Sequence, residues 1–259
     1  CLIRWTYEKA SELARELGLE AESKAYLEKL EMWPDMVYDE TGLLFAPDYP
    51  YSSSHRHFSH LMGFHPFGLI DYSNGEDHIE IINNTLKTLA EIGTDYWTGY
   101  SFSWQANLYA RAFMGEKAAE SLRIFAEAFC LPNSFHVNGD QTGKGYSKFT
   151  YRPFTLEGNF AFASGVQEML VQSHTGIIKV FPAIPSDWND VSFDRLRTTG
   201  AFLVSADMTA GEIERVEIES LAGALLKLEC PFDTDLQAKG EIMEIETNKG
   251  EKIILTRKK

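Results

Sequence analysis

The chain is short of cysteine, of basic residues and of long apolar runs, and each shortage closes off a class of function. Its three cysteines stand at Cys1, Cys130 and Cys230. An odd number at such wide spacing supplies neither a disulfide framework nor a zinc-ligand pattern. Lysine and arginine total 24 against 38 aspartates and glutamates, a formal net charge of −14. A surface of that sign repels polyanions, which argues against nucleic acid and anionic membranes as partners. The one basic cluster is the terminal Thr256-Arg257-Lys258-Lys259, read as a solvated tail. No apolar run reaches the length of a membrane span. An initiator methionine is also missing: CLIRWTYEKASELARELGL is already helical in period at Leu2, Trp5, Ala10, Leu13 and Leu17. The expectation is a C-terminal portion of a longer protein, inactive by itself, with its compartment left open.

What is present is a core large enough for one or two domains: 259 residues, 44% hydrophobic and 13% aromatic. Residues 1–175 read as helices in pairs. Gly18 breaks the first pair, and apolar faces recur through 77–92, SFSWQANLYARAF, EKAAESLRIFAEAF and NFAFASGVQEMLVQS. A further helix is expected from near His57 toward Gly68. Long loops at 93–101 and 131–157 interrupt the pattern, and such loops in a compact domain are more often functional than decorative. After Gly176 alternation takes over: Phe202, Val204, Ala206 and Met208 on one face, then Ile213, Val216 and Ile218, then Ala224, Leu226 and Leu228. Gly-bearing turns separate these runs. The expected fold class is α+β multidomain, with helical residues 1–176 followed by a small antiparallel β-sandwich at 177–259.

Three stretches carry candidate chemistry. SSSHRHFSHLMGFHP, residues 52–66, holds four of the seven histidines. His55, His57 and His60 have the spacing of metal ligands, yet no carboxylate or thiol completes the set and Arg56 would repel a cation. The plainer reading is satisfied loop histidines for His55, His60 and His65. Arg56 and His57 together suit a pocket for vicinal hydroxyls or a carboxylate. FTLEGNFAFASG, residues 154–165, puts Glu157 and Asn159 at the start of an apolar helix, where the carboxylate meets the positive end of the helix. Glu157 is either a plain N-terminal charge or a general base, with Asn159 orienting water. DYWTGYSFSW, residues 95–104, masses Tyr96, Trp97, Tyr100, Phe102 and Trp104 as core or as the rim of a sugar cleft. Asn83-Asn84-Thr85 is a glycosylation sequon.

Together these stretches resemble glycoside hydrolase family 95, the inverting α-L-fucosidases and their relatives. HRHFSHLMGFHP is similar to that family's H-R-H-x-S-H-L-x-G-x-x-P, and TGYSFSWQANLYAR to T-G-x-S-x-x-W-x-x-N-L-x-A-R. EGNFAFASGVQEMLVQSH is similar to D-G-N-F-x-x-x-x-G-I-x-E-M-L-x-Q-S-H. The resemblance implies that the helical region is the second half of an (α/α)6 barrel. It implies that Glu157 occupies the place of the base, with Asn159 assisting. Arg56, His57, Trp104 and Tyr151 would line the sugar pocket. The general acid and two assisting asparagines would lie upstream, in the N-terminal remainder of the parent protein. The implied substrate is an oligosaccharide or glycan with a terminal α-L-fucose or related sugar. No metal or organic cofactor is required, since two carboxylates suffice. Two departures stand where the sugar is read: Glu157 in place of aspartate, and Tyr151 in place of a histidine. The rival is a non-catalytic carbohydrate-binding homologue. Hydrolysis by this chain alone would require Asp95 or Asp140 as the acid.

Overall fold

The computed structural model describes residues 1–234 and 237–257, so the two terminal lysines of the basic tail lie outside the described residues. The chain divides into two units, Cys1–Trp97 and Thr98–Lys259. The expected boundary near 176 lies inside the second unit. There α6 runs straight into β3, and Gln172 ties the junction by donating from Nε2 to the carbonyls of Ala110 and Glu168.

The first unit opens with two helices, α1 (Leu2–Glu16) and α2 (Glu20–Leu30). They form where the apolar period predicts, but the apolar stripe is not what joins them. Leu13 and Leu17 are 64% and 74% exposed, whereas Ser11, Ala14 and Ser23 are buried. Small residues let the two backbones approach, and the hydroxyls of Ser11 and Ser23 meet at 2.8 Å. A short hairpin, β1 (Tyr38–Asp39) and β2 (Gly42–Leu43), then packs on α3 (Glu76–Ile92). Thr85 locks that contact: its hydroxyl donates to Ile81 O and accepts from Leu43 N–H. The third residue of the sequon is therefore a buried packing residue within a helix.

The helix expected from His57 toward Gly68 is only a 3-10 turn, Ser59–Gly63. Pro66 lacks the N–H a longer helix needs and disfavours helical backbone at His65. Within this unit His60 lies between Phe45 and Tyr51, with ring centroids at 4.2 and 5.5 Å. Burial pushes its imidazole down from 6.5 to about 4. The unfolded chain therefore binds a proton that the folded chain refuses between these pH values, so stability falls as pH drops through that window. A loss of up to about 3 kcal/mol is expected from this group. Thermal denaturation of the wild type and of His60→Phe across the window checks it. The variant should lose that part of the acid sensitivity.

The second unit carries α4 (Gly99–Arg111), α5 (Gly115–Ala128) and α6 (Glu157–Leu170), followed by the strands. A four-stranded antiparallel sheet has the order β10-β7-β6-β5, from Lys252–Thr256, Glu212–Ser220, Phe202–Thr209 and Val191–Thr198. The pairs β3–β4 (Val171–Gln172, Lys179–Val180) and β8–β9 (Leu225–Glu229, Ile242–Glu246) accompany it. The alternation seen in the sequence fills one core: Phe202, Val204, Ala206, Val216, Ile218, Leu226 and Leu228 are all buried there. Among the described residues no helix is long and apolar enough to cross a membrane.

Candidate functional site

In the second unit, α4 and α6 run side by side and both begin beside the 131–157 loop. Thr98 starts α4 with a reciprocal capping box, its N–H donating to Ser101 Oγ at 3.2 Å. Along α4, Asn107 donates to Ser103 O and to Ala161 O of α6, and Ser164 donates back to its Oδ1 at 2.7 Å. One turn further Arg111 grips Glu168 with two hydrogen bonds, Nε to Oε2 at 3.2 Å and Nη2 to Oε1 at 2.9 Å. Gly165 sits opposite Asn107, where a Cβ would come within 3.3 Å of its Nδ2. The residues that make these two segments recognisable as motifs are thus the ones that fasten the helices together.

That fastening sets the neighbourhood of Glu157. Glu157 is exposed on the first turn of α6. Tyr100, in the first turn of α4, is close enough to feel its charge: burial, and then the Glu157 carboxylate, hold the phenol above its usual value. Trp104, buried one helical turn along, has its ring 5.6 Å from that of Tyr100. Tyr151 is exposed on the loop, edge-on to Phe149 at 5.2 Å, and its carbonyl accepts from Gly139 N–H.

Asn159 has two partners in the loop. Its expected task was to orient water beside Glu157. Its side chain also holds the loop: Oδ1 accepts from His136 N–H at 3.0 Å, and Nδ2 donates to Ser134 O at 2.9 Å. A short amide committed to two backbone groups across the loop is a clamp. Asp140, the fallback proton donor, is also committed. Burial pushes its carboxyl up, but hydrogen bonds from Thr142 and from the Tyr146 and Gly145 backbone outweigh this and hold it below the usual range. An acid held ionised is a poor proton donor.

In the first unit Arg56 and His57 are both exposed, on the irregular segment before the 3-10 turn. Tyr51 shapes that segment, its hydroxyl accepting from His55 N–H and donating to His55 O. His57 N–H donates to His55 Nδ1 at 3.2 Å, and the two rings lie 5.2 Å apart. Partial burial and then the neighbouring charges of Arg56 and His55 lower His57. A neutral imidazole beside a guanidinium offers a donor and an acceptor next to a fork of donors, a set suited to sugar hydroxyls. The three histidines of the metal reading do not converge, since His60 is enclosed by Phe45 and Tyr51. Among the described residues no group of three or more His, Cys, Asp or Glu is placed to hold a metal ion.

His136 does not stand out in the sequence, and Tyr100 does so only as one ring of the 95–104 aromatic run. Tyr100 lay inside an aromatic run that reads equally well as core. His136 lay alone in a loop, and only the folding of that loop onto both helices reveals it.

The chain is similar to known proteins over most of its length. The model of the glycosyl hydrolase family 95 catalytic domain matches residues 2–170, and that of the glycoside hydrolase family 95 C-terminal domain matches residues 172–259. Alpha-L-fucosidase 2 of Arabidopsis thaliana is 34% identical over 161 residues, covering 61% of this chain and 18% of that protein. Probable alpha-fucosidase A of Aspergillus oryzae is 27% identical over 162 residues, covering 57% and 21%. The protein of the same description from Aspergillus niger is 24% identical over 167 residues, covering 60% and 20%. The matched regions span about a fifth of these relatives' lengths. With its two family models meeting end to end over nearly all of its length, the chain belongs to glycoside hydrolase family 95.

Proposed function

We propose that the complete protein hydrolyses a terminal α-L-fucoside, or a glycoside of a closely related sugar, with inversion at the anomeric carbon. In this reading residues 1–176 form part of an (α/α)6 barrel and residues 177–259 its C-terminal β-domain. Glu157 takes a proton from the attacking water. Trp104 and Tyr151 of the second unit, and Arg56 and His57 of the first, are the proposed sugar contacts. The general acid comes from a part of the barrel outside this chain. The observation that carries the reading is the setting of Glu157, an exposed carboxylate on the first turn of α6 beside the half-buried phenol of Tyr100. That carboxylate is open to water, and the adjoining indole of Trp104 is a rigid apolar body of the kind that packs against sugar faces.

Asn159 clamps the 131–157 loop and assists Glu157. Inversion requires the acid and base carboxyls to stand roughly 6.5–9.5 Å apart, leaving room for the water between base and sugar. The names of the three relatives support fucose as the first sugar to try.

The test is a substrate screen of the complete protein against aryl α-L-fucoside, α-L-galactoside, α-L-rhamnoside and β-L-arabinoside. Proton NMR identifies the first anomer released. Turnover of the α-L-fucoside or α-L-galactoside giving the β-anomer first is the expected result. Release of the retained anomer would remove Glu157 from the role of base. Binding of these sugars without turnover of any of them would leave a lectin-like protein.

A further inference from the structure

We propose that His136 is a positioning residue for Glu157: its buried imidazole, wedged between the first residues of α4 and α6, fixes the turn from which Glu157 projects. The inference rests on the reading of Glu157 as the base. His136 is fully buried, in a loop rather than a helix or strand core. Both of the ring nitrogens abut a glycine. A Cβ on Gly99, the first residue of α4, would come within 2.4 Å of Nε2. A Cβ on Gly158, the neighbour of Glu157, would come within 2.4 Å of Nδ1. The two helix starts therefore approach each other through this ring, and no larger residue fits at either position.

Hydrogen bonds add direction to that packing. Nδ1 lies 2.7 Å from Thr155 O and 2.9 Å from Thr155 Oγ1, two residues before Glu157. Thr155 Oγ1 donates onward to Asn138 Oδ1 at 3.0 Å. The His136 N–H donates to Asn159 Oδ1, two residues after Glu157, and Asn159 reaches back to Ser134 O. Glu157 is thus bracketed on both sides by bonds that converge on one residue. Ser134 is held at φ +66, a left-handed conformation costly for a side chain with a Cβ, as expected of a turn shaped by its clamp. Nε2 has no hydrogen-bond partner among the described residues. Burial lowers the imidazole, outweighing the Thr155 and Glu157 contributions that raise it. The ring is then neutral, with its proton on Nδ1, aimed at the Thr155 carbonyl.

The donor at Nδ1 separates positioning from space filling. Asparagine carries an amide donor at nearly the place of Nδ1 but fills less volume. Leucine fills more volume than asparagine and donates nothing. In the complete protein His136→Leu should lower kcat about 10–100-fold, the scale of a displacement of about 1 Å at a reacting group. KM should stay within about threefold, because the sugar contacts are elsewhere. His136→Asn should recover kcat to within about threefold of wild type while having the lower Tm of the two. If His136→Leu does not fold, His136→Gln, whose amide sits at the Nε2 end, replaces it with the same expected loss. Wild-type kcat in the leucine or glutamine variant, or kcat that follows Tm across the series, would overturn the proposal. Glu157→Gln is measured alongside. If it retains turnover, the base reading fails and this inference falls with it. If it is inactive while the leucine variant is not impaired, the positioning role alone falls.

Discussion

Glu157→Gln in the complete protein should reduce kcat by about 10²–10⁴-fold, the usual contribution of a positioned base, and leave the dissociation constant for the sugar nearly unchanged. The amide keeps the size and hydrogen-bonding reach of the carboxylate but cannot accept the proton of the attacking water. Single-turnover rates and calorimetric binding of the product sugar separate the two effects. Unimpaired turnover would show that the base is another group. Glu157→Asp is the subtler variant, because the resemblance places aspartate at this position in the family. One methylene withdraws the carboxylate by about 1.5 Å. The backbone is poorly placed to follow, since Thr155 and Asn159 are tied to the 131–138 loop on either side. The aspartate variant should therefore lose about 100-fold in kcat despite keeping the charge. On the proposed reading the longer side chain and the loop clamp form one arrangement, and the shorter residue without a move of the turn would leave the proposed base too far back.

Local periodicity made most of the helices and strands legible. The alternation of Phe202, Val204, Ala206 and Met208 predicts one buried strand face, and that face is buried. The 3.6-residue period at 77–92 predicts α3 almost to the residue. Periodicity fails where another force decides. Leu13 and Leu17 have the right spacing for a core face, yet the small residues Ser11, Ala14 and Ser23 set the contact between α1 and α2, because close backbone approach needs little side chain. From His57 onward the apolar pattern suggests a helix, but Pro66 removes a donor and limits it to a single turn. The candidate site divides in the same way. Glu157 stands out in the sequence because a carboxylate opening an apolar helix is a local signal. The clamp formed by Asn159 and His136 joins residues 23 apart through a backbone N–H and a side-chain oxygen, and no local pattern records such a bond. In the sequence Asn159 is an asparagine near a carboxylate, and only the folded loop reveals its bonds to His136 and Ser134.

Arg111→Leu should destabilise the protein by about 3–5 kcal/mol, the cost of stripping one partner from a buried ion pair. The guanidinium and carboxylate of Arg111 and Glu168 are only 6% and 16% exposed, and the pairing is bidentate. Leucine replaces the stem of the arginine and leaves the Glu168 carboxylate largely desolvated without that cation. For a domain of this size the loss corresponds to a fall in Tm of about 10 °C or more. Arg111→Lys should recover only part of it, because an ammonium cannot reproduce the fork. The double replacement Arg111→Leu with Glu168→Leu should be more stable than Arg111→Leu alone, since removing both charges removes the stranded one. A double variant as unstable as the single one would mean that the arginine acts through packing rather than charge. The consequence reaches the site through α6. Glu168 lies three turns along the helix that begins at Glu157, and α4, which carries Arg111, begins beside Tyr100. Loosening the pair removes one tie that holds α6 in place along α4, beside those made by Asn107 and Gln172. Activity of Arg111→Leu should then fall below that of Arg111→Lys even where both are fully folded, because the ion pair fixes the register of the two helices whose first turns hold Tyr100 and Glu157.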